Sequence, residues 1–300
     1  MSSRVNFHWS SEVYSLGKTF REYYKLPKWL PLPFYSDHAP MQSGVIDFRI
    51  SEEAIKGSIY LTFSPSCIDR NASRLNLKIL GTLHPWVPYR RKRYRRSGTS
   101  RRTVAFFPLH STPQYITNGF DDLDSISRLN QLRNIGYEPI VCLHWHDLGS
   151  ERETMFRSAE FEIVTLGNPH EETYVDKFYE LAKKIDFLVS ESYTSAIPFM
   201  IEFGIPCSIV KRELDIHHEV RTDQRFGYSD ANTKSDINAV EKLFESFPSE
   251  ISKEHIAFAE RELGFDFSRN YYEIRRIIFQ AYLYKMPLTL LKIIKRKMLS

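Results

Sequence analysis

Residues 186–210, DFLVSESYTSAIPFMIEFGIPCSIV, decide how this chain is read. The apolar run Phe187-Leu188-Val189 predicts a buried strand. It ends in a hydroxyl-rich turn, Ser190-Glu191-Ser192-Tyr193-Thr194-Ser195. A short helix is predicted over about 196–203, with Pro198 tolerated in its first turn. Gly204 and Pro206 stop it, and 207–210 reads as the next strand. A strand, a hydroxyl turn and a helix start together suit an anion, because free backbone N–H groups and the helix dipole point at one place. Glu202, near the far end of that helix, can accept two hydrogen bonds from a ribose diol. The expectation is a nucleotide held by Ser192, Thr194 and Ser195 at phosphate and by Glu202 at sugar.

Outward from this unit the chain alternates. Strands are expected at 104–107, 139–143 and 161–166, and helices at about 123–134, 152–159 and 174–184. Residues 101–236 therefore read as an α/β domain, a parallel Rossmann-like sheet covered on both faces. Right-handed crossovers bring the ends of all its strands to one rim, where open α/β sheets bind ligands. The clusters His110-Ser111-Thr112, His144-Trp145-His146-Asp147 and Asn168-Pro169-His170-Glu171 each follow a strand. Their convergence with 190–195 makes His110, Ser111, Thr112, His144, His146 and Asn168 candidate donor-binding residues. His144 and His146 could share a face of an extended segment, but no third metal ligand is specified, so no metal is expected.

Residues 1–100 read as a smaller acceptor-side domain. A helix is expected at 12–24, then the proline-rich irregular stretch 25–40, then strands at 45–50, 58–64 and 75–80. Asp37, with His38 beside it to orient or tune the carboxylate, is the candidate general base. His84-Pro85 is a weaker candidate. Residues 237–300 read as helices packing across the domains, at 237–247, 252–263, 269–284 and 287–298.

Hydrophobic content of 42% and charged content of 26% are globular values, and 300 residues suffice for two domains. Three scattered cysteines show no disulfide or zinc spacing, which favours a reducing compartment. The opening MSSRVNFHWSSEVYS has no apolar h-region, so no secretory signal is expected, and no apolar run is long enough for a membrane span. The net charge is only +4, but cations concentrate in 89–102, YRRKRYRRSGTSRR, and in 285–300, KMPLTLLKIIKRKMLS. The first stretch has the composition of a linker or surface loop. Arg90, Arg91, Lys92, Arg93, Arg95 and Arg96, together with Lys292, Lys295 and Arg296, are expected to face an anionic membrane surface or an anionic acceptor.

The string SAIPFMIEFGIP (195–206) is similar to the nucleotide-sugar half of GT-B glycosyltransferases. With FYSDH (34–38), IDRN (68–71), FPLHST (107–112) and CLHWHD (142–147), the stretch from about 9 to 210 resembles a family encoded in bacterial capsule and O-antigen gene clusters. That resemblance implies two Rossmann-like domains facing a cleft, with the donor held by the second. It implies glycosyl transfer from a nucleotide-sugar to a growing surface polysaccharide on the cytoplasmic face of the bacterial inner membrane. The basic stretches suit a lipid-linked acceptor, and no metal is needed if the Ser/Thr hydroxyls, His110 and the helix start at 196 neutralise the leaving phosphate. A narrower likeness is to sialyl- and Kdo-type transferases that use CMP-sugars, although their usual His-Pro is His110-Ser111 here. The rival readings are a nucleotide-sugar epimerase or hydrolase, which needs no acceptor, and a non-enzymatic binder of membrane or nucleic acid.

Overall fold

The computed structural model describes residues 9–37, 59–71, 78–96, 102–109, 122–210, 238–247 and 250–283. Two parallel sheets organise them. The first has the order β1-β2-β3, with β1 at Phe34–Ser36, β2 at Ile59–Thr62 and β3 at Lys78–Gly81. Tyr35 lies opposite Tyr60, and Tyr60 opposite Ile79. The second has the order β6-β5-β4-β7-β8, with β4 at Thr103–Phe107, β5 at Glu138–Cys142, β6 at Glu162–Val164, β7 at Phe187–Ser190 and β8 at Cys207–Ile209. The chain starts this sheet at β4, builds outward through β5 and β6, then returns to the other side of β4 for β7 and β8. The fold is thus α/β with parallel sheets. Strands buried on both faces need continuous apolar runs, and that is why β4 and β7 lack the alternation of a half-exposed strand.

Helices join the strands: α1 at Leu16–Tyr23, α2 at Pro65–Asn71, α3 at Trp86–Arg93, α4 at Asp122–Asn134, α5 at Glu151–Ser158, α6 at Tyr174–Ala182 and α7 at Ala196–Glu202. Beyond β8 come α8 at 238–243, α9 at Lys253–Glu262 and α10 at 271–283. Helix α7 ends because Gly204 adopts φ +87°, which lets the Ile205 N–H reach back to the Met200 carbonyl at 2.8 Å.

One apolar core runs through both halves. It joins Leu16, Phe20, Phe34 and Val87 to Phe178, Phe199, Met200 and Ile209. A smaller cluster, including Val104, Phe106, Leu129 and Phe156, covers the other face of the second sheet. The last helices return to the first sheet. The His84 N–H donates to the Leu263 carbonyl at 2.8 Å, Arg275 Nε to the Tyr24 carbonyl at 2.9 Å, and the Tyr282 hydroxyl to the Pro31 carbonyl at 2.8 Å.

Three expectations need correction. Residues 89–93 are not linker but the second half of α3, because Trp86, Val87 and Tyr89 bury one face and arginine and lysine are good helix formers. The proline-rich stretch contains a strand, since Phe34–Ser36 lies between Pro33 and Pro40 and carries its own N–H groups. The first helix begins only at Leu16, after two short 3-10 turns. The strand expected at 45–50 and the helix expected at 287–298 lie outside the described residues. Among the described residues, no helix is long and apolar enough to cross a membrane.

Candidate functional site

The strand order reverses between β4 and β7, so the connections leaving these neighbouring strands diverge and a crevice opens at their carboxyl ends. Two buried charged side chains fix that edge. Glu191, directly after β7, accepts the Leu109 N–H at 2.8 Å and a hydrogen bond from the Ser125 hydroxyl. Arg152 donates to the Leu109 carbonyl and grips Asp122 with two bonds of 2.8 Å each. Arg152 also lies 3.6 Å from Asp147 and 4.0 Å from Glu191. Leu109, two residues past the end of β4 and one before His110, is therefore held at both its N–H and its C=O, which sets the direction in which the chain leaves β4. Sequence reasoning missed both clamps. Glu191 stood in view among the serines of the turn, whereas Arg152 looks like any arginine in a charged helix.

The hydroxyl turn sits beside this clamp. Ser192, Thr194 and Ser195 are half-buried, and Ser195 occupies the N-cap of α7 without a side-chain capping bond. Thr194 Oγ1 accepts the Ala196 N–H only at 3.4 Å, and Ser192 Oγ reaches the Tyr193 carbonyl only at 3.5 Å. These contacts are long and weak, so the hydroxyls retain capacity for another acceptor. After β5, the rings of His144, Trp145 and His146 cluster: Trp145 lies 3.7 Å from His146, and His144 lies 5.2 Å from it. Asn168, after β6, turns its side-chain oxygen onto the His170 N–H at 2.9 Å, an Asx turn. Sequence order and sheet topology thus put His144, His146, Asn168, Ser192, Thr194 and Ser195 on one rim. A cavity of about 410 Å³ lies over the β4–β7 seam, lined by apolar residues including Phe106 and Val189, with Asp124, Arg128, Gln131 and Glu191 as polar contributors.

Glu202 is not on that rim. Its side chain is buried at the far end of α7, where Oε2 accepts from Arg90 Nε at 2.9 Å and Oε1 accepts from both Arg90 and Arg91. Both oxygens already receive guanidinium donors, so they are not open to a ribose diol. The same contacts redefine the basic run. Lys92 and Arg93 pair with Glu22, and Arg96 holds the Gly204 carbonyl and approaches Asp186 at 3.8 Å. Arg90, Arg91 and Arg96 thus tie the first half of the chain to the second, while Lys92 and Arg93 hold α3 against α1 within the first half. Asp176 reinforces the seam, accepting from Lys18 at 2.6 Å and from the hydroxyls of Tyr89 and Tyr94 at 2.7 Å each. Burial pushes its pKa up, but these three bonds outweigh it and hold the carboxyl below its usual value.

Asp37 caps the carboxyl end of β1. It is buried and accepts from the Tyr60 hydroxyl at 2.7 Å, the Thr62 hydroxyl at 2.6 Å and the Phe63 N–H at 3.2 Å. Donors arranged this way fix the carboxylate's orientation. His84 is also buried, its Nδ1 accepting the Trp86 N–H at 3.1 Å and its ring packed 4.1 Å from Phe63 and 4.7 Å from Phe199. Burial pulls its pKa well below the ordinary histidine value, so it serves as a neutral packing group between β3 and α7. The contact with Phe199 places the segment that leaves the carboxyl end of β3 against α7, the helix that follows β7.

His38, His110, Ser111, Thr112, Lys292, Lys295 and Arg296 lie outside the described residues. Among the described residues, no group of three or more His, Cys, Asp or Glu side chains is placed to hold a metal ion. In comparisons with known proteins, no family model and no curated protein matches the chain.

Proposed function

We propose that this chain is a metal-independent glycosyltransferase of GT-B-like build that takes its sugar from a nucleotide-sugar donor, CMP-sugars among the candidates. The observation that carries this reading is the reversal of strand order at β4 and β7, with a half-buried hydroxyl turn on the resulting crevice and the segment leaving β3 of the other parallel sheet packed on the helix that follows that turn. In this reading the hydroxyls of Ser192, Thr194 and Ser195, with the backbone at 194–197, hold the donor phosphate. The rings of His144 and His146 bear on the base. Glu202 has no part in it. His110, Ser111 and Thr112 follow the clamped Leu109 in the chain and belong to the same proposed phosphate grip.

Chemically, an acceptor hydroxyl on a lipid-linked or growing polysaccharide attacks the anomeric carbon as its proton passes to Asp37, displacing one of the neutral hydroxyl donors, Tyr60 or Thr62, that the carboxylate holds. The bond from that carbon to the phosphate oxygen breaks, and the oxygen leaves with the electron pair. Preorganised hydroxyl and amide donors would stabilise the charge developing on the leaving phosphate. The test is a thermal-shift panel of CMP, UDP, GDP and dTDP. Ligand that binds only the folded state raises the midpoint by mass action. One nucleotide should stabilise the wild type and lose that effect in Thr194→Val, while Asp37→Asn should keep the shift and lose turnover. No shift with any nucleotide sinks the reading, and wild-type turnover by Asp37→Asn sinks the base assignment.

A further inference from the structure

The segment that follows α1 makes a tight turn. The Leu30 N–H closes on the Pro27 carbonyl at 3.1 Å, Arg21 Nε holds the Leu30 carbonyl at 2.8 Å, and the Tyr282 hydroxyl holds the Pro31 carbonyl at 2.8 Å. Leu26 and Leu32 anchor it on either side, both buried. The tip of this rigid turn presents Lys28 and Trp29 to solvent, with Trp29 79% exposed. Beside it, α10 buries Ile274, Ile277 and Ile278 and turns Tyr272, Arg276, Phe279 and Leu283 outward, spaced as one helical stripe. Tyr272 is 79% exposed and Leu283 is 74% exposed. The bond from Tyr282 to Pro31 makes the turn and the stripe neighbours.

We propose that this face, the Lys28-Trp29 turn with the outer stripe of α10, docks on an anionic lipid bilayer. The inference goes beyond the transferase reading and does not depend on it. Tryptophan suits a bilayer interface because its ring is apolar and its N–H stays hydrated. Around it stand the exposed cations Lys25, Lys28 and Arg276, against one exposed acid on the helix, Glu273. That excess matches the sign of an anionic headgroup layer. The sequence running on from Leu283 carries five more lysines and arginines among leucines and isoleucines. The cations of α3, by contrast, share Glu22 and Glu202 and, among the described residues, have no exposed aromatic beside them comparable to Trp29.

The experiment is co-sedimentation of the full chain with vesicles of phosphatidylcholine alone and of phosphatidylcholine mixed with phosphatidylglycerol. Binding to the anionic vesicles alone, weakened by added salt, is expected. Lys25→Gln/Lys28→Gln should weaken it about 30-fold, equivalent to about 1 kcal/mol for each lysine near the surface. Trp29→Ala should weaken it about tenfold through lost apolar burial. Each variant should melt like the wild type, since these side chains are exposed, and should keep the nucleotide-induced shift. The proposal is overturned if the wild type ignores anionic vesicles, binds neutral ones equally, or is matched by both variants. It is also overturned if Trp29→Ala instead splits an oligomer on size exclusion without changing vesicle binding, since the face would then meet protein. None of these outcomes touches the nucleotide test.

Discussion

Lowering the pH should loosen the seam between the two sheets through one residue, His84. The ring is 2% exposed, lies between Phe63 and Phe199, and uses Nδ1 to accept the Trp86 N–H. Protonation would place a charge in an apolar pocket and remove that acceptor, so burial holds its folded pKa well below the unfolded value. A histidine shifted down contributes stability that is fully present above its unfolded pKa, about 6.5, and lost as the pH falls from there towards the folded value. In that window the unfolded chain takes up one proton that the folded chain refuses. The loss is about 1.4 kcal/mol per pH unit, or about 2 kcal/mol between about pH 7 and about pH 5. Urea unfolding across that range, followed by tryptophan fluorescence, measures it. The control is His84→Asn, whose amide oxygen can still accept the Trp86 N–H but cannot titrate. The variant should be less stable at every pH, yet the wild type should lose about 2 kcal/mol more than the variant on acidification. Parallel curves for the two proteins would refute the reasoning.

Two further changes probe the same seam. Glu202→Gln removes the charge that Arg90 and Arg91 share, and breaking a buried pair by deleting one partner costs about 3–5 kcal/mol; calorimetry should show a lowered midpoint, partly restored in Arg90→Met/Glu202→Met. Gly264→Ala should destabilise by about 1–3 kcal/mol in chemical denaturation. Gly264 sits at φ +72°, and an added Cβ would meet the Thr82 carbonyl oxygen at 2.4 Å.

Much of the second sheet was legible because its strands are short apolar runs flanked by turn signals, and each is followed by a helical period. Phe187–Ser190 and Ala196–Glu202 fall where the residues placed them. The strand order was not legible: alternation implies parallel pairing but does not say on which side of β4 the chain resumes. The role of Glu202 was misread because a helix carboxylate looks the same in sequence whether it faces a ligand or an arginine 112 residues away. The basic run 89–96 was misread for the converse reason. Charge density reads as a solvated loop, and only tertiary packing reveals Glu22, Asp186 and Glu202 as its partners. Arg152 carried no local signal, since its partners Leu109 and Asp122 lie far away in sequence.

The crevice at the ends of β4 and β7 is tested most directly by amide hydrogen exchange, with and without the nucleotide that raises the melting point most. Binding there should slow exchange at residues 194–197 and leave the outer face of α10 unchanged. Unaltered exchange at 194–197 in nucleotide-saturated protein, with protection elsewhere in the chain, would contradict the account.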